Sequence, residues 1–146
     1  MKIAIGCDHG GYDAKDSVIY YLITNGYEVI DFGTNSNDSC DYPDYAVPVS
    51  KAVSENKADY GILICGTGIG MSMCANKIKG IRCAHVNDLF SAEMTRRHNN
   101  ANVIALGARI ATKEDIVSYV DKFLTTEFEG GRHENRVNKL NNLDNK

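Results

Sequence analysis

Nowhere in this chain of 146 residues do about eighteen apolar residues follow one another, so no segment reads as a membrane-spanning helix. A signal-peptide pattern is missing too: Met1 and Lys2 lead straight into a strand-like run, which sets the expectation of a cytoplasmic protein with no membrane partner. Basic residues are not in excess, since 16 Lys and Arg stand against 19 Asp and Glu and the formal charge is −3. No broad nucleic-acid surface is expected, and any anion must be caught locally. The five cysteines, Cys7, Cys40, Cys65, Cys74 and Cys83, are odd in number and contain no Cys-x-x-Cys pair, which argues against a disulfide framework or a zinc site. They are expected to be thiols, one of them free to react. No metal-ligand spacing is found elsewhere, so no metal is expected. The chain is too short for the eight βα units of a closed barrel, yet long enough for one continuous core.

What is present is organised around residues 59–71, where the apolar run Gly61-Ile62-Leu63-Ile64 ends in Cys65 and opens into Gly66-Thr67-Gly68-Ile69-Gly70-Met71. The run has the length and bulk of a strand buried on both faces. The glycines allow positive φ and close backbone approach to a ligand. The helix that follows, over about residues 68–76, aims unpaired N–H groups and a positive dipole end at the same spot. The spacing Gly-x-Gly-x-Gly departs from the dinucleotide fingerprint, so the loop reads as a general anion cradle.

Around this centre the chain alternates strand-like and helical segments. Residues 2–7, 27–32, 61–64, 80–86 and 102–106 read as strands. Between and after them, apolar stripes mark amphipathic helices: Ala14, Val18, Tyr21 and Leu22; Tyr45, Val49, Ala52 and Val53 in a helix starting at Asp44 with Pro48 in its first turn; and Ile116, Val117, Val120, Phe123 and Leu124 behind a capping box at Thr112 and Asp115. A further helix is expected from an N-cap at Asn87 or Asp88 to Arg97, interrupted by His98-Asn99-Asn100. The pattern predicts an α/β fold, a three-layer Rossmann-like open parallel five-stranded sheet with helices on both faces. Residues 1–146 form a single domain in this reading, with 129–146 a C-terminal arm whose end, 138–146, is expected to fray.

In such sheets ligands bind beyond the carboxyl ends of the strands, where strand order reverses. Asp8 and His9, the loop from Cys65 to Gly70, and His98 with Asn99 are expected to converge there. Arg132 and Arg136, four apart, share a face on a helix and suit a phosphate dianion, or else form a solvated basic turn paired with Glu129 or Glu134. Such a site fits a small phosphorylated carbonyl compound. A cysteine at a helix N-terminus has its thiolate favoured and can act as nucleophile or general base. Cys7, Cys74 and Cys83 read as packing residues, His85 as structural, and His133 as a phosphate contact or a surface residue.

Taken together, Gly6-Cys7-Asp8-His9, Asp41-Tyr42-Pro43, Ile64-Cys65-Gly66-Thr67-Gly68-Ile69-Gly70, Arg97-His98-Asn99, residues 102–109 and Glu129-Gly130-Gly131-Arg132-His133 with Arg136 resemble the ribose-5-phosphate isomerase B family, sugar-phosphate isomerases that also include galactose-6-phosphate isomerase subunits. The resemblance covers nearly the whole chain. It implies a metal-independent aldose-ketose isomerase acting on ribose 5-phosphate and ribulose 5-phosphate, in the pentose phosphate pathway of carbohydrate metabolism, with no cofactor. It implies Cys65 as general base, His98 in ring opening, and Asp8 and Thr67 assisting. Substrate binding then falls to Asp8, His9, Tyr42, Gly66, Thr67, Gly68, Ile69, Gly70, Asn99, Arg109, Arg132 and Arg136. It further implies a homodimer or dimer of dimers with shared active sites, His98, Asn99 and Arg109 approaching from a different chain than Cys65. Two alternatives stay open: the same chemistry on a six-carbon sugar phosphate such as allose 6-phosphate or galactose 6-phosphate, and a non-catalytic sugar-phosphate or nucleotide sensor.

Overall fold

The computed structural model describes residues 1–145. Five strands, β1 Lys2–Cys7, β2 Glu28–Asp31, β3 Tyr60–Cys65, β4 Cys83–His85 and β5 Val103–Gly107, form one sheet in the order β2-β1-β3-β5-β4, every pair parallel. The helices are α1 Tyr12–Thr24, α2 Pro43–Ser54, α3 Ile69–Ala75, α4 Leu89–Asn99, α5 Lys113–Thr125 and α6 Arg132–Asn141, followed by a 3-10 turn at Asn142–Asn145. The chain moves outward from β1 to β2 and then crosses to the other side of β1 for β3, so the order reverses between β1 and β3.

Strand residues alternate between two cores. Ile3, Ile5, Cys7, Ile62, Ile64, Ile104 and Leu106 face Val18 and Leu22 of α1, Ala92 of α4 and Ile116, Val120 and Phe123 of α5. Ala4, Leu63, Cys65, Val103 and Ala105 face Ala46, Val49 and Val53 of α2 and Met71 and Ala75 of α3. The second core is thinner because Gly6 and Gly61 admit Val49: a Cβ on Gly6 would lie 2.8 Å from a Val49 methyl. Cys65 thus belongs to a strand clamped from both faces.

Three expectations need correction. Helix α2 begins at Pro43, whose fixed φ suits a first helical position, so Pro48 falls in the second turn rather than the first. His98 and Asn99 do not interrupt α4 but form its last turn; the break comes at Asn100, which takes the left-handed conformation at φ 46°. The C-terminal residues through Asn145 do not fray. Asn141 accepts from Arg82 at 3.1 Å, Asp144 from the Gly80 N–H at 2.8 Å and Asn145 from Lys79 at 3.1 Å. Lys146, also within that expectation, lies outside the described residues. Among the described residues no helix is long and apolar enough to cross a membrane.

Candidate active site

The loops after β1, β3 and β5 lie side by side at the carboxyl edge, and absent side chains let them touch. A Cβ on Gly11 would come within 2.3 Å of the Ile64 carbonyl oxygen, and one on Gly10 within 2.9 Å of the Gly66 nitrogen. The Asp8 N–H donates to Ile64 at 3.2 Å, and the N–H groups of Ala108 and Arg109 donate to the carbonyls of Cys65 and Gly66 at 2.8 and 3.0 Å. Backbone contacts therefore fix the three loop mouths together.

Cys65, 5% exposed, ends β3 with its sulfur turned into the glycine loop, where the Gly68 N–H donates to it at 3.0 Å. The loop can close so tightly because Gly68 sits at φ 82°, capping α3. Ile69 donates its N–H to the Thr67 hydroxyl at 3.2 Å. The N–H groups of Gly66, Thr67 and Gly70 have no acceptor among the described residues and remain available to an anion. Of the five N–H groups that the sequence offers as a cradle, two are thus spent on shaping it.

Around this centre stand most of the expected partners. Asp8 is buried and accepts from the Gly10 N–H at 2.8 Å, holding the turn after β1. His9 accepts the Cys40 N–H on Nδ1 at 3.2 Å, leaving Nε2 as the proton-bearing donor. His9 and Arg109 line one cavity of about 460 Å³ with Gly10 and Thr112. The Arg109 guanidinium lies over Gly66, where a Cβ would meet Nη1 at 2.8 Å, and the Tyr42 ring lies over Gly70 at the same distance. Arg109 therefore flanks Cys65 from within the same chain, which corrects the expectation that it approaches from another.

His98, Asn99, Arg132 and Arg136 are elsewhere. Helix α4 starts beyond the carboxyl end of β4 and runs back along the sheet; its 11 residues span about 16 Å. Its last turn consequently reaches the amino edge, where Arg96 donates to the Tyr60 hydroxyl at the start of β3, at 3.0 Å. There His98 stacks on the buried His133, ring centroids 4.2 Å apart, and His98, Asn99, His133 and Arg136 line a hollow of about 290 Å³. Arg132 opens α6 one turn before Arg136. The convergence expected at one edge is replaced by two half-sites at opposite edges, and His133 is a buried residue, not a surface one.

The second half-site suits an anion. His98, Glu129 and His133 bring their ligand atoms within 4.8 Å of one another, both imidazole Nε2 atoms lying about 4 Å from the Glu129 carboxylate, which Arg97 already holds at 3.0 Å. Arg132 and Arg136 add positive charge. Burial and the charges of His98 and Arg132 hold the His133 imidazole below its ordinary value, against the pull of Glu129. Its Nε2 is buried and without a hydrogen-bond partner among the described residues.

Burial separates the other thiols from this chemistry. It pushes Cys7 up to about 11 and Cys83 up to about 12, and Cys74 upward as well, so they stay protonated near neutrality, as packing residues should. Two residues, Lys15 and Arg96, escaped the sequence reading, and His85, expected to be structural, braces the glycine loop. Lys15, 2% exposed, donates to Asp31 at 2.9 Å, the Thr34 carbonyl at 2.7 Å and Asn35 at 3.2 Å, tying down the loop beside Cys7. Buried Arg96 donates to Ala101 and Asn100. His85 donates to the Thr67 carbonyl at 2.6 Å in the cradle itself. A lysine among apolar stripe residues gives no sequence signal of its partner; His85, at the carboxyl end of a strand, did.

Residues 3–140 match the family model described as Ribose/Galactose Isomerase. The chain is 45% identical over 143 residues to ribose-5-phosphate isomerase B of Escherichia coli, covering 98% of this chain and 96% of that one. It superposes on the ribose-5-phosphate isomerase B of Clostridium thermocellum with a TM-score of 0.97 at 48% identity, covering 99% and 98% of the two chains. The Mycoplasma genitalium ribose-5-phosphate isomerase B, solved with bound ribulose-5-phosphate, superposes with a TM-score of 0.96 at 41% identity, covering 99% and 97%.

Proposed function

The chain belongs to the ribose/galactose isomerase family, and we propose that it interconverts ribose 5-phosphate and ribulose 5-phosphate, the aldose-ketose isomerisation for which its isomerase B relatives are named. The reaction moves one carbon-bound proton and one hydroxyl proton. From the open aldose, a base takes the C2 proton, the carbonyl oxygen on C1 gathers negative charge as an enediolate forms, the hydroxyl proton passes from O2 to O1, and the carbon proton returns to C1 as the C2 oxygen becomes the ketone.

Cys65 is the base. Its sulfur is shielded from water, faces the glycine loop and receives the Gly68 N–H at 3.0 Å. The unclaimed N–H groups of Gly66, Thr67 and Gly70 hold the oxygen on which charge develops. Tyr42 lies along the sugar, Asp8 and Thr67 assist ring opening, and His9 and Arg109 meet the polar end of the substrate in the cavity they share.

Ring opening needs a group that exchanges protons near neutral pH, and His98 serves. About 16 Å of strand separates the Cys65 end of β3 from its Tyr60 end, beside which His98 stands, so one chain does not complete the site. A second copy supplies His98 and Asn99 for the sugar and Arg132 and Arg136 for the phosphate. The working unit is a homodimer with two composite sites, alone or paired into a tetramer.

The observation that carries this reading is a strand-end thiol bonded by one loop N–H while the neighbouring N–H groups are unclaimed. The experiment is turnover of ribose 5-phosphate by the purified, chelator-treated chain, with allose 6-phosphate and galactose 6-phosphate in parallel. Turnover of the pentose with the highest kcat/KM is expected. Binding without turnover of any of the three would overturn the proposal in favour of a sensor.

A further inference from the structure

One peptide group in the cradle is held from both ends. The Thr67–Gly68 peptide gives its N–H to the Cys65 sulfur at 3.0 Å and its carbonyl to His85 Nε2 at 2.6 Å. A carbonyl oxygen only accepts, so the proton lies on His85 Nε2. The peptide also has little freedom to turn. A Cβ on Gly68 would strike the His85 ring, 2.8 Å from Cδ2, and a Cβ on Gly107 of β5 would lie 2.7 Å from the Thr67 oxygen. His85 and β5 thus hem in the carbonyl whose partner N–H serves the thiol.

We propose that His85 is a positioning residue, acting through the Thr67–Gly68 peptide to orient and strengthen the N–H bond to the Cys65 sulfur. Accepting a hydrogen bond at the carbonyl polarises the amide, and the N–H of that same amide becomes a better donor. A better donor to sulfur favours the charged form. The imidazole also fixes the plane of the amide, so that the N–H points at the sulfur and not into solvent. His85 reaches the thiol through the three bonds of one amide group and need not touch a substrate. The effect on turnover rests on Cys65 being the base; the effect on the thiol does not.

The test compares two polar replacements in the full chain. In His85→Gln the side-chain amide reaches the Nε2 position and still donates to Thr67; in His85→Asn it stops near the Nδ1 position and does not. Cys65 alkylation by iodoacetamide is followed across pH, with the modified Cys65 peptide quantified by mass spectrometry. Asp8 and Arg109, the charged groups at the same loop mouths, stay unchanged in every variant. His85→Asn should alkylate at Cys65 about three- to tenfold more slowly at neutral pH, with its pH midpoint raised, while His85→Gln should stay near wild type. Coincident pH profiles for all three proteins, or equal shifts in both variants, would overturn the proposal. Isomerase assays of the same proteins separate the two readings: a shifted thiol profile with kcat unchanged would remove Cys65 as the base while leaving its coupling to His85 intact.

Discussion

At the carboxyl edge of the sheet Cys65 is surrounded by backbone; at the amino edge His98 is surrounded by side chains. The first half-site is made of close-approaching glycines, loop N–H groups and one buried thiol, all fixed by strand pairing. The second is made of a stacked pair of imidazoles and two arginines one turn apart on α6, with Arg97 and Glu129 bridged beside them. A fixed array of backbone donors suits charge that appears during a reaction, because it needs no reorganisation. Long cationic side chains suit a phosphate whose charge never changes, and an imidazole suits a proton transfer outside the main step. On the proposed reading the carboxyl edge carries the carbon proton transfer, and the amino edge carries ring opening and phosphate binding.

Removing the thiol is the sharpest way to break the carboxyl half. Cys65→Ala should lower kcat by about a hundredfold to ten-thousandfold, the usual worth of a general base, while ribose 5-phosphate still binds. Retained turnover would transfer the role of base elsewhere. A second experiment joins the halves across two chains. Cys65→Ala and His98→Asn chains, each inactive alone, should regain about one quarter of the wild-type rate after equal mixing and subunit exchange, because half the dimers are mixed and each mixed dimer holds one intact site. No recovery, with exchange verified by mass spectrometry of the mixed dimers, would refute sites shared between copies.

How much of this the sequence revealed follows the same line. The Cys65 half was legible because its parts are adjacent in the chain: an apolar strand, a cysteine and spaced glycines announce their geometry locally. Arg132 and Arg136 were legible as a pair for the same reason, four residues apart on one helix. The relation between the halves was not, because Asp8, Cys65 and His98 all fall near element ends and a local pattern does not carry chain direction. A crossover helix runs antiparallel to its strands, so the end of α4 belongs to the opposite edge from the end of β3. Residues whose meaning is a distant partner, such as Lys15 under Thr34 or Arg96 on Tyr60, carry no local pattern at all.

Arg136 tests the binding side of the comparison. Arg136→Ala should raise KM about tenfold or more and leave kcat nearly unchanged, since a charge-assisted bond to phosphate is equally strong before and at the transition state. A loss confined to kcat would mean that Arg136 acts on the transition state and not on uniform binding of the phosphate.

The smallest effect is one of stability, and it belongs to the amino edge alone. His133 is held below its ordinary value of 6.5 by burial, by His98 and Arg132 and, more weakly, by Arg136, with Glu129 opposing them. An imidazole lowered in this way binds fewer protons in the folded chain than in the unfolded one, so stability rises with pH across the interval. Its contribution is present in full above about 6.5 and is lost as pH falls through the lowered folded value. Wild-type Tm should therefore decline on acidification below that point, and His133→Gln, which cannot titrate, should decline less steeply. Parallel Tm curves for the two proteins would show that the stacked imidazole does not resist protonation, and that the amino edge tolerates one more positive charge beside its arginines than its geometry implies.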